Sequence, residues 1–226
     1  MSVRAHRQLS GIRVRTMRIR LNDMGGGEPI RFDIFFDYHC PYVFRASRLL
    51  DAVIASGERD VKVRWRYFSL TQVNSKDEGW TVWRAPSSEA VRGRLAFKAA
   101  EAARRQGRFE ELHRRLLTTR HRDRADIDLP HVVDKAAAEA GLDPERFRRD
   151  LDDPAILDAL ARDHTEATGE LGVFGTPTFV FAGGRSAYVR LAEQVLDDGV
   201  VRVFDRLLDV VSGEPGILEI KRPYRR

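Results

Sequence analysis

The sequence is poor in cysteine, with Cys40 as the single cysteine among 226 residues. A framework of disulfides within this chain is therefore excluded, and so is a zinc site built from several cysteines. The scarcity of cysteine fits a reducing, cytoplasmic setting. If Cys40 does redox chemistry, its second thiol must come from another molecule.

Long hydrophobic runs are also missing. No stretch reaches the eighteen or more apolar residues that a membrane helix needs, so we expect no membrane partner. The first residues are basic, but they lack the apolar region and the small-residue cleavage site of a secretory signal. We interpret residues 1–27 as a disordered basic leader, with Met17 or Met24 as the candidate true start.

Clusters of one charge are scarce, although the net charge is +5. Arginines alternate with acids, as in residues 146–153, and faces of mixed sign are typical of solvated surface. We therefore expect no nucleic-acid partner. The six histidines show no metal-ligand spacing, and we expect no metal.

Two strand patterns flank a helix pattern near the start of the chain. Residues 30–36 are aromatic and β-branched, which indicates a buried strand, and residues 61–68 alternate as a second strand. Between them, apolar positions at three- and four-residue spacing predict an amphipathic helix that begins near Pro41 and ends at Gly57. Residues 69–87 are predicted to form an irregular loop.

The pattern of the residues after 87 predicts a helical block and then a β-hairpin with a final helix. The hairpin strands are expected over 178–181 and 186–190, around a turn at 183–184. We divide the chain into a leader (1–27), a core in two pieces (28–87 and 170–213), a helical insertion (88–169) and a tail (214–226). The helices are predicted over 88–106 with Ser88 as the cap, 109–119, 129–141, from 143, 154–168 and 199–211.

Cys40 stands where the first strand passes into the first helix, and Pro41 fits the first helical turn. Unpaired N–H groups and the helix dipole at this point stabilise a thiolate, which is the nucleophilic form of cysteine. His39 adds to this stabilisation when it is protonated. The alternative is that Cys40 is a small buried hydrophobic residue.

Pro177 follows Gly175 and Thr176 and precedes the third predicted strand. A cis peptide bond is compatible with this context, and the backbone of Thr176 would then pair with an extended substrate placed against Cys40. The alternative is a trans proline that begins an edge strand.

Two motifs carry a family resemblance. Asp37-Tyr38-His39-Cys40-Pro41-Tyr42 before a helix, and Val173-Phe174-Gly175-Thr176-Pro177-Thr178-Phe179 after a helical insertion, resemble the DsbA-like branch of the thioredoxin superfamily. Residues 63–70, with Asn74, are similar to its cytoplasmic members: FrnE-type oxidoreductases, 2-hydroxychromene-2-carboxylate isomerases, kappa-class glutathione transferases and mycothiol-dependent nitroreductases. The resemblance covers about residues 29–212. It implies an α/β thioredoxin-like fold with a helical insertion.

One position departs from the family pattern. Dithiol members have Cys-Pro-x-Cys, and Val43 occupies the place of the second cysteine. The resemblance therefore implies a monothiol enzyme that completes its cycle with a small thiol, glutathione or mycothiol, as co-substrate and with no tightly bound cofactor. The partners would be this thiol and a thiol, disulfide or electrophilic substrate; a homodimer is a further possibility.

The expected catalytic residues are Cys40, Pro41, Thr176 and Pro177. Asp37 is expected to hold the loop by accepting backbone N–H bonds. Tyr42 either contacts the substrate or packs over the turn, and Trp80 belongs, with Trp83 and Phe97, either to an aromatic pocket or to the core. The expected substrate-binding residues are His39, Tyr42, Val43, Trp80 and Gly175.

The predicted function is thiol-disulfide exchange by a cytoplasmic enzyme of this family. A glutathione- or mycothiol-dependent isomerase or transferase is the first alternative. The second is a binding protein that keeps the thioredoxin scaffold without turnover.

Overall fold

A four-stranded mixed sheet forms the centre of the protein. The computed structural model describes residues 28–193, 199–214, 216–220 and 222, so the predicted leader and part of the predicted tail lie outside it. The strand order is β2-β1-β3-β4, with β1 parallel to β2, and the pairs β1–β3 and β3–β4 antiparallel. The strands are β1 (Ile30–Phe36), β2 (Val61–Tyr67), β3 (Thr178–Val180) and β4 (Ser186–Tyr188).

Eight α-helices in the described residues surround this sheet, and six of them lie in the chain between β2 and β3. The predicted α/β fold with a helical insertion is confirmed. A 3-10 turn over Pro154–Leu157 leads into the seventh helix. The helices are α1 (Pro41–Ser56), α2 (Leu70–Val73), α3 (Arg94–Arg105), α4 (Phe109–His121), α5 (Pro130–Glu139), α6 (Pro144–Asp152), α7 (Asp158–Gly169) and α8 (Val200–Gly213).

The structure differs from the sequence prediction at the start of α3 and in the predicted loop before it. Ser88 does not cap a helix, because α3 begins six residues later, after Gly93 with φ +81°. The predicted irregular loop contains the short helix α2, whose cap is the Ser69 side chain, which accepts a hydrogen bond from the Gln72 N–H. The sequence predicts too early a start for this helix, because the small and polar residues at 88–93 are compatible with both a helix and a loop.

The strand β1 is central because its side chains are buried against neighbours on both sides. Ile34 is aligned with Trp65 of β2 and with Phe179 of β3. Ile34, Phe35 and Phe36 have no exposed surface, which is typical of a strand covered on both faces. The carboxyl end of β1 therefore delivers the residues that follow it, from Asp37 onward, into the interior of the molecule.

One continuous hydrophobic core joins the sheet to the insertion. Phe36 is the link, since its ring contacts Trp65 of β2, Phe97 of α3 and Phe109 of α4. His113 of α4 packs edge-on against the same ring at 4.7 Å between centroids. Burying a side chain of this size contributes about 1.5–3 kcal/mol, which helps to hold the insertion to the sheet.

A buried arginine joins β2 to α7 at the opposite face of the sheet. The guanidinium of Arg66 donates to Asp163 at 2.7 Å and to Glu166 at 2.6 Å, and it lies over the ring of Phe35. Its hydrogen bonds to Glu166 and Asp163 raise the pKa of Arg66 against the opposing effect of burial. This pairing positions α7 immediately before the chain returns to the sheet at β3.

No helix in the described ranges is long and apolar enough to cross a membrane.

Acid should destabilise the protein through His113. Burial lowers its pKa from 6.5 to about 3, so the unfolded chain takes up a proton that the folded chain rejects. The contribution of His113 to the free energy of unfolding is fully present above pH 6.5 and is lost as the pH drops toward 3. Chemical denaturation at pH 7 and pH 5 should show a loss of about 2 kcal/mol from this residue.

The matched comparison uses His113→Gln and His131→Gln. His113 is buried and His131 is exposed on α5. The pH dependence should shrink in the first variant and stay as in the parent chain in the second. An unchanged pH dependence in His113→Gln would contradict this assignment.

Candidate active site

Cys40 lies at the N-terminus of α1, as the sequence predicts. It is the N-cap residue, Pro41 is the first helical residue, and the first turn holds no acidic residue. The helix dipole therefore acts on the sulfur without a competing carboxylate from the first turn of its own helix. The side chain is buried, with 5% of its surface exposed. Its Sγ donates to the backbone oxygen of Thr176 at 3.1 Å, which joins the two predicted motifs directly.

Asp37 anchors the loop between β1 and α1. One carboxylate oxygen accepts from the N–H of His39 at 2.7 Å, and the other accepts from the N–H of Leu70 at 2.7 Å. Burial raises the pKa of Asp37, while these two N–H bonds lower it. The carboxylate thus holds both the Cys40 loop and the start of α2, in the structural role predicted for it.

Tyr38 ties the same loop to α4. Its hydroxyl lies 3.2 Å from Nδ1 of His113, and its backbone oxygen accepts from Nε2 of His121 at 2.9 Å. The side chain of Tyr38 is fully buried. His113 and His121 of α4 therefore both hold Tyr38, which lies two positions before Cys40.

His39 faces the insertion rather than Cys40. Its Nε2 lies 3.2 Å from a carboxylate oxygen of Asp128, and the other oxygen of Asp128 accepts from the N–H of Gly93 at 2.7 Å. Burial raises the pKa of Asp128, but the bonds from His39 and Gly93 outweigh it and the net pKa is lowered. Glycine suits this position, because its φ is +81° and a Cβ would approach the His39 ring to 3.3 Å.

The loop before β3 forms the second wall of the site. The Thr176–Pro177 peptide bond is cis, and the Thr176 side chain is buried. Thr178 closes the loop by donating its hydroxyl to the backbone oxygen of Gly175 at 2.7 Å. Phe174, with 69% of its surface exposed, lies against the ring of Tyr188 at 5.2 Å between centroids.

Tyr42 and Val43 point in different directions from α1. Tyr42 is half-buried, its hydroxyl accepts from Arg190 at 2.6 Å, and the same guanidinium covers its ring. Val43 has no exposed surface and belongs to the core. A direct contact of Val43 with a substrate therefore requires the core to open.

Trp80 is joined to the insertion side of the site rather than to Cys40. It packs partly buried against the core, and its indole N–H donates to Glu89 at 3.0 Å. Trp83 lies against His164, and Phe97 is fully buried in the main core. Of the three aromatic residues predicted for a pocket or the core, Phe97 belongs to the core.

Four residues of the site are absent from the sequence prediction: Gly93, Asp128, Tyr188 and Arg190. Gly93 carried a weak signal, since it lies inside the helix predicted over 88–106, where a glycine is unfavourable. The others lie in loops or short strands far along the chain from Cys40. Their proximity depends on tertiary packing, which no local pattern encodes.

The comparisons with known proteins agree with this geometry. Residues 31–197 match the family model described as the DSBA-like thioredoxin domain. The chain belongs to the DSBA-like thioredoxin family. Members of this family are usually thiol-disulfide oxidoreductases.

Solved structures of several oxidoreductases share the fold. A thioredoxin-like oxidoreductase from Silicibacter pomeroyi is 26% identical, with a TM-score of 0.52 over 77% of this chain and 86% of that one. A probable DsbA oxidoreductase from Streptomyces coelicolor is 23% identical, with a TM-score of 0.60 over 87% and 93%. The cytosolic disulfide reductase DsbM from Pseudomonas aeruginosa, solved with GSH, is 19% identical, with a TM-score of 0.53 over 79% and 99%.

The curated relatives are much longer proteins. A Na⁺/H⁺ antiporter NhaA from Salinispora tropica is 30% identical over 176 residues, and one from Herminiimonas arsenicoxydans is 39% identical over 93 residues. The matched segments are 78% and 41% of this chain but only 23% and 14% of those proteins. The likeness therefore concerns a minor part of each antiporter.

Replacing the Asp37 anchor should destabilise the protein. Asp37→Asn keeps one acceptor oxygen and turns an amide group toward a backbone N–H, so one buried donor loses its partner. We expect a loss of about 1–3 kcal/mol in the free energy of unfolding. The control is Asp77→Asn, which makes the same change at an exposed residue whose oxygen accepts from the Gly79 N–H.

Urea denaturation of the two variants measures the difference. Asp77→Asn should stay within about 0.5 kcal/mol of the parent chain. Equal stabilities for Asp37→Asn and the parent would show that the carboxylate does not hold the loop.

Proposed function

We propose that the protein is a monothiol thiol-disulfide oxidoreductase, in which Cys40 is the nucleophile and an external low-molecular-weight thiol completes the cycle. The observation that carries this proposal is the placement of Cys40. It caps α1, contacts the backbone oxygen of Thr176, and is followed by the fully buried Val43 where a dithiol enzyme would have its second cysteine.

The reaction has two exchange steps. In the first, the Cys40 thiolate attacks the sulfur of a mixed disulfide R–S–S–G, where G–S is the small thiol; the Cys40–S–S–G bond forms and R–S⁻ leaves to take up a proton. In the second, a thiolate G–S⁻ attacks the G-side sulfur of that bond, which releases G–S–S–G and restores the Cys40 thiolate. Over both steps, R–S–S–G and one molecule of the small thiol G–SH become R–SH and G–S–S–G.

The surroundings of Cys40 support each role. The N-terminus of α1, without an acidic residue in its first turn, favours the negative charge that both steps need on sulfur. The backbone oxygen of Thr176, 3.1 Å from the sulfur, marks the strand edge against which an extended substrate would lie. Exposed Phe174 and the adjacent Tyr188 supply apolar surface beside it.

Glutathione and mycothiol are the two small thiols that the proposal names. A cytoplasmic location supplies such a thiol pool in reduced form. The similarly folded disulfide reductase DsbM is described as cytosolic and was solved with GSH, which supports glutathione as the first thiol to test.

The direct test is reduction of 2-hydroxyethyl disulfide coupled to glutathione. Cys40→Ser should abolish this activity, because serine replaces the attacking sulfur with a poor nucleophile at neutral pH. Retained activity in Cys40→Ser would contradict the proposal. Activity of that variant toward an isomerase or transferase substrate would instead favour the first alternative, and the absence of every activity in the parent chain would favour the binding protein.

Val43→Cys tests the external thiol. The new cysteine stands one turn along α1 from Cys40, at the position of the resolving thiol in dithiol members of the family. We expect this variant to release a bound glutathione from Cys40 by forming an internal disulfide, without added thiol. Single-turnover measurements of glutathione release provide the readout.

Val43→Ser is the matched control, because it makes a similar change in size at the same buried position without a thiol. Like the parent chain, it should hold glutathione until external thiol is added. If the parent chain released glutathione unaided as fast as Val43→Cys, the monothiol mechanism would be wrong.

A further inference from the structure

A cleft of about 640 Å³ opens between the Cys40 loop and the insertion. His39, which immediately precedes Cys40, lines one side of it, and we call it the His39 cleft. Residues of the loop before α3, of α3 itself, of α4 and of the following loop line the remainder. Its volume is in the usual range of small-molecule sites.

The acidic and basic side chains of the His39 cleft differ in their partners. Each acidic residue accepts a hydrogen bond from the protein: Glu89 from the Trp80 indole, Asp126 from the N–H of Asp128, and Asp128 from Gly93. Arg94 is also engaged, because it donates to backbone oxygens, that of Ala85 among them.

Three further cations line the cleft. Arg92 precedes α3, Lys98 lies on α3 and Arg120 lies in the last turn of α4. Among the residues that the structure describes, none of their side-chain nitrogens makes a hydrogen bond or a salt bridge. Burial and the charge of Arg94 lower the pKa of Lys98, and the charge of Asp152 offsets only part of this effect.

We propose that the His39 cleft binds a small organic anion beside the Cys40 loop, and that Arg92, Lys98 and Arg120 contact its carboxylate or phosphate oxygens. Three elements supply the cations, which suits a ligand with more than one negative charge. Binding in the cleft is measurable without the exchange chemistry proposed for Cys40.

The binding test uses the full chain with Cys40→Ser, so that no exchange occurs. The probes are 3,3′-dithiodipropionate with two carboxylates, inorganic pyrophosphate, neutral 2-hydroxyethyl disulfide and cationic cystamine, each followed by titration calorimetry. At least one of the two anions should bind at least tenfold more tightly than the neutral and cationic probes, and more weakly as salt is added. Tighter binding of dithiodipropionate identifies carboxylate as the preferred group, and tighter binding of pyrophosphate identifies phosphate.

The variants locate the site. Lys98→Gln and Arg120→Gln should each weaken binding of the anionic probe about tenfold, as expected for the loss of a charged hydrogen-bond donor. The control is Arg206→Gln, which removes one exposed charge from α8; this helix packs against α1 and β4. Arg206→Gln should bind the probe as tightly as its parent.

Equal binding of all four probes, or of none, would overturn the inference, as would an equal loss in Arg206→Gln and Lys98→Gln. The outcomes are separable from those of the proposed function. If the chain with Cys40 intact reduces 2-hydroxyethyl disulfide while neither anion binds, only the cleft assignment fails. If an anion binds while that chain reduces no disulfide, the proposed function fails and the cleft assignment stands.

Discussion

The turn Asp37–Cys40 is held from four directions, and the geometry of the site depends on that restraint. Asp37 bonds to the start of α2, Tyr38 to α4, His39 to Asp128 of the insertion, and Cys40 to Thr176 before β3. A loop usually moves more than the elements that it connects. Here each residue has its own partner, so the sulfur is presented at a defined place between the sheet and the insertion.

The same restraint explains why the insertion belongs to the active site. Phe36 carries the core from the sheet into α3 and α4, and the next residues along the chain form the anchored turn. His113 and His121 of α4 then hold Tyr38. A change in the packing of α4 would therefore reach Cys40 through Tyr38 and His39. The insertion thus both shapes the His39 cleft and sets the position of the nucleophile.

Local chemistry was sufficient to predict the two motifs and the order of the elements, apart from the short helix α2. Pro41 at the start of α1 and Gly57 at its end follow from simple rules about proline and glycine at helix termini. The partners of His39 could not be predicted, because Asp128 is distant in sequence and meets it only after α3 and α4 have packed. The start of α3 was misplaced for a related reason: the left-handed Gly93 beside His39 is a tertiary requirement, whereas Ser88 satisfied a local capping rule.

The central claim is that Cys40 forms a mixed disulfide that only an external thiol releases. The most direct measurement is intact-protein mass spectrometry after the reduced chain is mixed with oxidised glutathione, and again after excess reduced glutathione is added. The account predicts one glutathione on Cys40 in the first sample, stable while no thiol is present, and the free thiol in the second. A chain that acquires no glutathione, or that keeps it in the presence of excess thiol, would contradict the account.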